Sequence, residues 1–142
     1  MKKPSLPAAI VIVAAAATIS SVGTTAAVVA QSNSNKGKLE LAFNGHCREC
    51  HEFDKGDNRL GPTLYGVVGR KAGTVPGFAY SDSLKSSGIT WDEKMLDQVI
   101  ANPDALIPGN NMGAIFSGLE DAGERAKIID FLKQDTKKGS KM

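Results

Sequence analysis

Five consecutive residues, Cys47-Arg48-Glu49-Cys50-His51, constrain this chain more than any other feature. Two thiols three positions apart, followed at once by an imidazole, form the attachment pattern of a c-type haem. The spacing answers a chemical need. Two sulfurs on one helical turn can add across the two vinyl groups along one porphyrin edge. The next residue then turns its ring nitrogen back over the macrocycle as the proximal iron ligand. Chance coincidence and half of a zinc site are the competing readings. A zinc site of this kind needs another cysteine or histidine pair downstream. The chain has two cysteines and two histidines, and all four lie between positions 46 and 51. The expectation is therefore one haem held by thioethers at Cys47 and Cys50, with His51 on the iron.

Composition agrees with that reading. A chain of 142 residues suits one domain, and loss of an N-terminal targeting segment would leave about 110, small for a purely protein core. The aromatic content is 6% and there are 15 glycines, so a buried porphyrin would supply apolar mass that the side chains lack. Formal charge is +2, and Lys2 and Lys3 account for that excess. A near-neutral remainder excludes the concentrated basic surface of a nucleic-acid binder. The protein is read as a monomer.

Residues 1–30 read as an export signal. Lys2 and Lys3 make a positive start, Ala8 to Ile19 is an uncharged apolar stretch, and Val28-Val29-Ala30 before Gln31 fits a signal-peptidase site. Pro7 to Ala30 carries no charge and is long enough to span a bilayer, so an uncleaved anchor with membrane association through residues 7–30 is the alternative. Its wealth of Ala, Ser, Thr and Gly favours cleavage. Either outcome puts the remainder in the periplasm. Residues 31–38 read as a polar linker, 39–135 as the domain and 136–142 as a flexible tail.

Within the domain, Leu39, Ala42 and Phe43 fall at helical spacing and lead into the motif. Glu52 to Gly88 holds seven glycines and two prolines and shows no period. So long an irregular stretch is unusual in a compact domain, unless its apolar residues (Leu60, Leu64, Val67, Val68, Phe78 and Leu84) pack on a haem. Thr90 is the expected N-cap of a helix carrying Met95, Leu96, Val99 and Ile100, which Asn102-Pro103 should end. A last helix is expected from about Asp121, burying Ile128, Ile129, Phe131 and Leu132.

An iron held by one histidine needs a sixth ligand, and the identity of that ligand decides function. Met112 lies in the loop Pro108-Gly109-Asn110-Asn111-Met112-Gly113, whereas Met95 belongs to an apolar helical stripe and Met142 is terminal. His46 adjoins Cys47 and cannot reach the far porphyrin face while both thioethers hold. Met112 is the candidate; a gap-filling role in the loop is the competing reading.

From Leu39 to Lys133 the chain resembles the class I cytochromes c, the bacterial relatives of the mitochondrial carrier. The resemblance rests on Cys47 to His51, Gly61-Pro62-Thr63-Leu64-Tyr65-Gly66, Gly69-Arg70-Lys71, Pro76-Gly77-Phe78-Ala79-Tyr80, Gly88-Ile89-Thr90-Trp91 and Pro108 to Met112. It implies a small all-α fold of helices and long loops around one haem c. It further implies a Pro62 carbonyl that accepts from His51, propionate contacts from Arg70, Tyr80 and Trp91, and Met112 as the sixth ligand. Three departures stand out. Val99 occupies the place of a tyrosine that usually faces the methionine sulfur. The segment between Met112 and Phe116 is two residues longer than the mitochondrial pattern. Leu39 replaces a glycine at the usual close helix crossing, with Gly37 two residues earlier.

The resemblance implies a one-electron carrier, without bond-making chemistry. Its expected partners are a membrane quinol–cytochrome c oxidoreductase and either a terminal oxidase or a photosynthetic reaction centre. A tethered subunit of a respiratory complex is the alternative. A haem peroxidase or gas-binding protein is a third reading, and the chain shows no distal His–Arg pair to support it. The usual lysine collar is not evident, since Glu49 and Glu52 offset Lys55, Arg59, Lys71 and Lys85.

Overall fold

The apolar residues that flank the haem motif form the centre of a helical corner. In the computed structural model, which describes residues 24–136, α1 runs Thr24–His46, α2 Asp82–Ser86, α3 Glu93–Ala101, α4 Pro103–Leu106 and α5 Ala122–Thr136. The export-signal reading falls outside the described residues except for the last part of that segment, and the tail beyond Thr136 falls wholly outside them. No helix among the described residues is long and apolar enough to cross a membrane. No strand occurs among them either, only an isolated antiparallel bridge between Lys71 and Thr90.

Helix α1 packs on α5, and α5 on α3. Ala42 and Phe43 bury themselves against Ile128, Ile129 and Leu132, with Leu96 and Ile100 closing the cluster from α3. Phe43 has no exposed surface, and removing such a side chain from water is worth about 2–3 kcal/mol. Its ring stacks on Phe131 at 4.7 Å and meets Phe53 edge-on at 5.7 Å. Phe53, two residues past the motif, thus ties the start of the irregular segment to the helices. Gly37 is not part of the α1–α5 crossing, since a Cβ built on it would meet nothing. Ala42 and Phe43 make that contact.

Two local expectations change. Residues 31–38, read as a linker, continue α1 as exposed helix. Their polarity reports contact with water, and only Gly37 among them opposes a helix strongly. The N-cap of α3 is Asp92 rather than Thr90: Asp92 is extended, and its carboxylate accepts from Met95 N at 2.7 Å. Thr90 is drawn instead into the pairing of residues 69–72 with 89–91, where Trp91 N donates to Arg70 O and Ala72 N to Ile89 O. Asn102 ends α3, and its side chain also caps α4 through Ala105 N at 3.0 Å.

Side chains, not periodic backbone pairing, organise residues 52–81. Buried backbone groups must find partners, and a few polar residues supply them. Thr63 Oγ1 donates to Asp54 O and accepts from Tyr65 N, while Asn58 Oδ1 accepts from Thr63 N. Asn58 Nδ2 reaches across to Pro76 O. Glu52 is buried, with its carboxylate 2.6 Å from Arg59 and 3.5 Å from Arg48. It is therefore a buried structural anion paired with two arginines.

Candidate haem site

The helical corner and the side-chain-braced segment enclose an apolar cavity of about 180 Å³. Cys47, Cys50, His51 and Met112 all line it. The first three arrive on the turn that ends α1, where Cys50 N and His51 N both donate to Cys47 O. Both thiols are free and half-buried. Burial, with Cys50 alongside, pushes the Cys47 thiol up to about 12, so before attachment the thiol is protonated near neutral pH.

His51 is held in one orientation. Its Nδ1 lies 2.8 Å from Pro62 O, and a carbonyl can only accept, so the proton resides on Nδ1 and Nε2 keeps its lone pair. Burial lowers the His51 pKa, partly countered by the Pro62 bond, with Arg70 lowering it further. A neutral imidazole with a free Nε2 is the form that binds a metal. Gly61 packs directly against the imidazole: a Cβ there would overlap the His51 ring. Gly61 N also donates to Cys50 O at 2.7 Å.

Leu60, Leu64, Val67, Phe78 and Leu84 line the cavity as the loop reading required, whereas Val68 packs on the helical core. Arg70, Tyr80 and Trp91 line it too. Arg70 donates Nη1 to Tyr65 O and Nη2 to Thr63 O, at 2.8 and 2.9 Å. Two of its five N–H groups are thus committed to the loop. Burial lowers the Arg70 pKa and raises that of Tyr80, which also feels a Val75 backbone bond and the Arg70 charge. Val99 faces the same space.

The Met112 wall is held by residues outside the haem-attachment motif. Asn110 Nδ2 donates to Ile107 O at 2.7 Å and to Asp104 Oδ1 at 2.9 Å, and its Oδ1 accepts from Gly113 N at 2.8 Å. Ser83 Oγ donates to Gly109 O. After Met112 the chain turns, and Ile115 N and Phe116 N both donate to Met112 O. An Asn three residues ahead of a Gly in a loop is the signal that could have pointed to this clip.

These residues fit a haem. The cavity wall is apolar, two thiols sit one turn apart, a neutral imidazole is oriented beside them, and Gly61 leaves just enough room for its ring. Leu60 and Ile115 are 72% and 64% exposed yet line the cavity, as apolar side chains do where a large apolar group belongs.

Relatives agree with the chemistry. The chain is similar to cytochrome c2 iso-2 of Magnetospirillum fulvum, 47% identical over 89 residues covering 63% of this chain and 91% of the relative. Cytochrome c type-1 of Ascaris suum is 42% identical over 96 residues, covering 68% and 84%. Among solved structures, cytochrome cH from Methylobacterium extorquens matches with a TM-score of 0.63 and 45% identity, over 70% of this chain and 97% of that one. No family model matches. With the motif, the cavity and these relatives together, the chain belongs to the class I cytochromes c, all-α electron-transfer proteins, not enzymes, that carry one covalently attached haem c.

Proposed function

We propose that this cytochrome is a periplasmic one-electron carrier whose iron is ligated by His51 and Met112. The observation that carries the proposal is that both residues line one cavity, with His51 already oriented by Pro62 O. Haem supplies the redox change; the chain supplies attachment, ligands and exclusion of water. Cys47 and Cys50 form the two thioethers. Arg70, Tyr80 and Trp91 face the cavity as donors toward propionates, since a buried carboxylate requires them. A thioether is soft and favours ferrous iron, so His/Met ligation raises the potential and leaves no open position for substrates or gases. Val99, without a hydroxyl, adds no hydrogen bond at the sulfur. The electron comes from a quinol–cytochrome c oxidoreductase and passes to a terminal oxidase or photosynthetic reaction centre.

The test is the near-infrared spectrum of the oxidised holoprotein. The expected sulfur-to-iron charge-transfer band should vanish in Met112→Ala. A high-spin spectrum, or carbon monoxide binding by the ferrous wild type at neutral pH, would replace the carrier with small-molecule chemistry.

One observation favours a second reading, a carrier tethered to the membrane. Helix α1 extends back from His46 to Thr24 without interruption, joining the domain to the end of the apolar N-terminal segment. Mass measurement of the mature protein decides it: a chain beginning near Gln31 leaves a diffusing carrier, and retention of residues 7–30 leaves a tethered one.

A further inference from the structure

Methionine is a neutral, flexible ligand with three rotatable side-chain bonds, so its position depends on the backbone that presents it. In this chain that backbone is closed by one side chain. Asn110 uses both amide hydrogens and its oxygen, on Ile107 O, Asp104 Oδ1 and Gly113 N. The three partners lie before the loop, on α4 and immediately after Met112. Met112 is thereby enclosed in a short ring from Asn110 to Gly113. Asp104 gives the ring its fixed point, because Pro103 and the Asn102 cap hold α4. Gly113 approaches the Asp104 carboxylate so closely that a Cβ would overlap it. Ser83 independently holds Gly109 at 3.0 Å.

We propose that Asn110, anchored by Asp104, is the positioning residue that holds Met112 on the iron. The inference rests on the reading of Met112 as ligand. Asn110 acts through the Met112 backbone, by the bond from Gly113 N to its Oδ1. Without it the loop gains freedom, and an external ligand competes better for the sixth position.

The test is imidazole binding to the ferric holoprotein, followed in the Soret region alongside the charge-transfer band. Asn110→Ala, losing three bonds, should bind imidazole about tenfold more tightly than wild type. Asn110→Asp sets a second carboxylate against Asp104 and should have at least as large an effect. Asn110→Asp combined with Asp104→Asn exchanges donor and acceptor, and should recover part of the wild-type resistance. Asn58→Ala, which loosens the other loop by removing bonds to Thr63 N and Pro76 O, should leave imidazole affinity unchanged. Equal affinity in Asn110→Ala and wild type, or an equal gain in Asn58→Ala, overturns the proposal. If Asn110→Ala does not yield holoprotein, the comparison of Asn110→Asp with the double variant decides: no recovery overturns it. A Met112→Ala protein with the wild-type spectrum would instead overturn the ligand reading itself, and the proposal with it.

Discussion

The two walls of the cavity are built on different principles. The His51 wall is local in sequence: the carbonyl that orients the imidazole is eleven positions along the chain, and Gly61 packs beside the ring. The Met112 wall is assembled from separate pieces, with Ser83 of α2 holding Gly109 O and Asp104 of α4 holding Asn110, which in turn ties Ile107 to Gly113. The first wall is fixed by close packing and a backbone carbonyl that no substitution removes. The second hangs on side-chain hydrogen bonds, each worth about 1 kcal/mol. The difference teaches where the molecule yields. Disturbance of the first wall should threaten the whole fold, whereas disturbance of the second should free Met112, the proposed ligand, and leave the fold standing.

Gly61→Ala tests the first half of that statement and should have the largest effect. The new Cβ would overlap a ring that the Pro62 bond prevents from turning away. Overpacking of this kind costs about 3 kcal/mol, read as a lower denaturant midpoint of the holoprotein, with the Soret band altered as well. A stable variant with an unchanged spectrum would mean that the His51 wall is softer than its packing suggests.

Gly118→Ala is the matching insult on the Met112 side. Gly118 has φ 114°, where L side chains are strained, and its Cβ would overlap the Ala101 carbonyl oxygen. A backbone group cannot swing aside, so about 2 kcal/mol is expected. The spectral consequence separates the walls: the charge-transfer band should weaken while the His51-dependent Soret envelope persists. Loss of both together would show that the two walls fail as one unit.

The walls also differ in charge, which gives a smaller, kinetic prediction. Between Lys94 and Arg125 the chain has no lysine or arginine but holds Asp97, Asp104, Glu120, Asp121 and Glu124. Arg125 turns inward, onto Asp97 and the carbonyls of Leu119 and Glu120. On the other side Arg48 and Arg59 are spent on Glu52. Oxidation of the ferrous protein by tris(phenanthroline)cobalt(III), a trication, should therefore slow several-fold from about 10 mM to about 0.5 M salt, and oxidation by hexacyanoferrate(III) should not. Glu120→Gln should flatten the cobalt response. The opposite salt dependence would place a basic collar at the mouth after all.

Legibility in the sequence follows the same division. Cys47, Cys50 and His51 can be read because their chemistry is confined to one turn, and α3 and α5 because Leu96, Ile100, Ile128 and Leu132 repeat with the helical period. Thr90 misleads because the residue type suits a cap, yet its backbone is engaged with Lys71 and the extended conformation belongs to Asp92. Residues 31–38 are helical although polar, since polarity records solvent and not conformation. Asp104, Asn110 and Gly113 are not legible as a set. Their bonds link loop and short-helix positions with no period, and only folding reveals that a carboxylate meets an amide there.

The smallest expected effect concerns the helix that closes both walls, since Ile128 and Leu132 of α5 line the cavity. Asp121 holds the start of α5 by accepting from Gly123 N at 2.7 Å and Glu124 N at 3.0 Å. Those backbone bonds, Glu124 first, hold its carboxyl below the ordinary 3.8, with Lys127 and Arg125 adding to the effect. A pKa lower in the folded state means that the unfolded chain takes up the proton first as pH falls. The charge therefore stabilises the fold above about pH 3.8 and ceases to do so as pH drops through the folded value. The substitution Asp121→Asn would keep an acceptor for the two N–H groups but not the charge. Wild type should melt slightly higher than Asp121→Asn at neutral pH, and the two melting curves should converge as pH falls below the ordinary carboxyl value of 3.8. Haem carboxylates titrate in both proteins and cancel from the difference. A gap that persists unchanged into acid would show that the side chain's shape, not its charge, secures α5, and that the shared support of the two walls is electrostatically neutral.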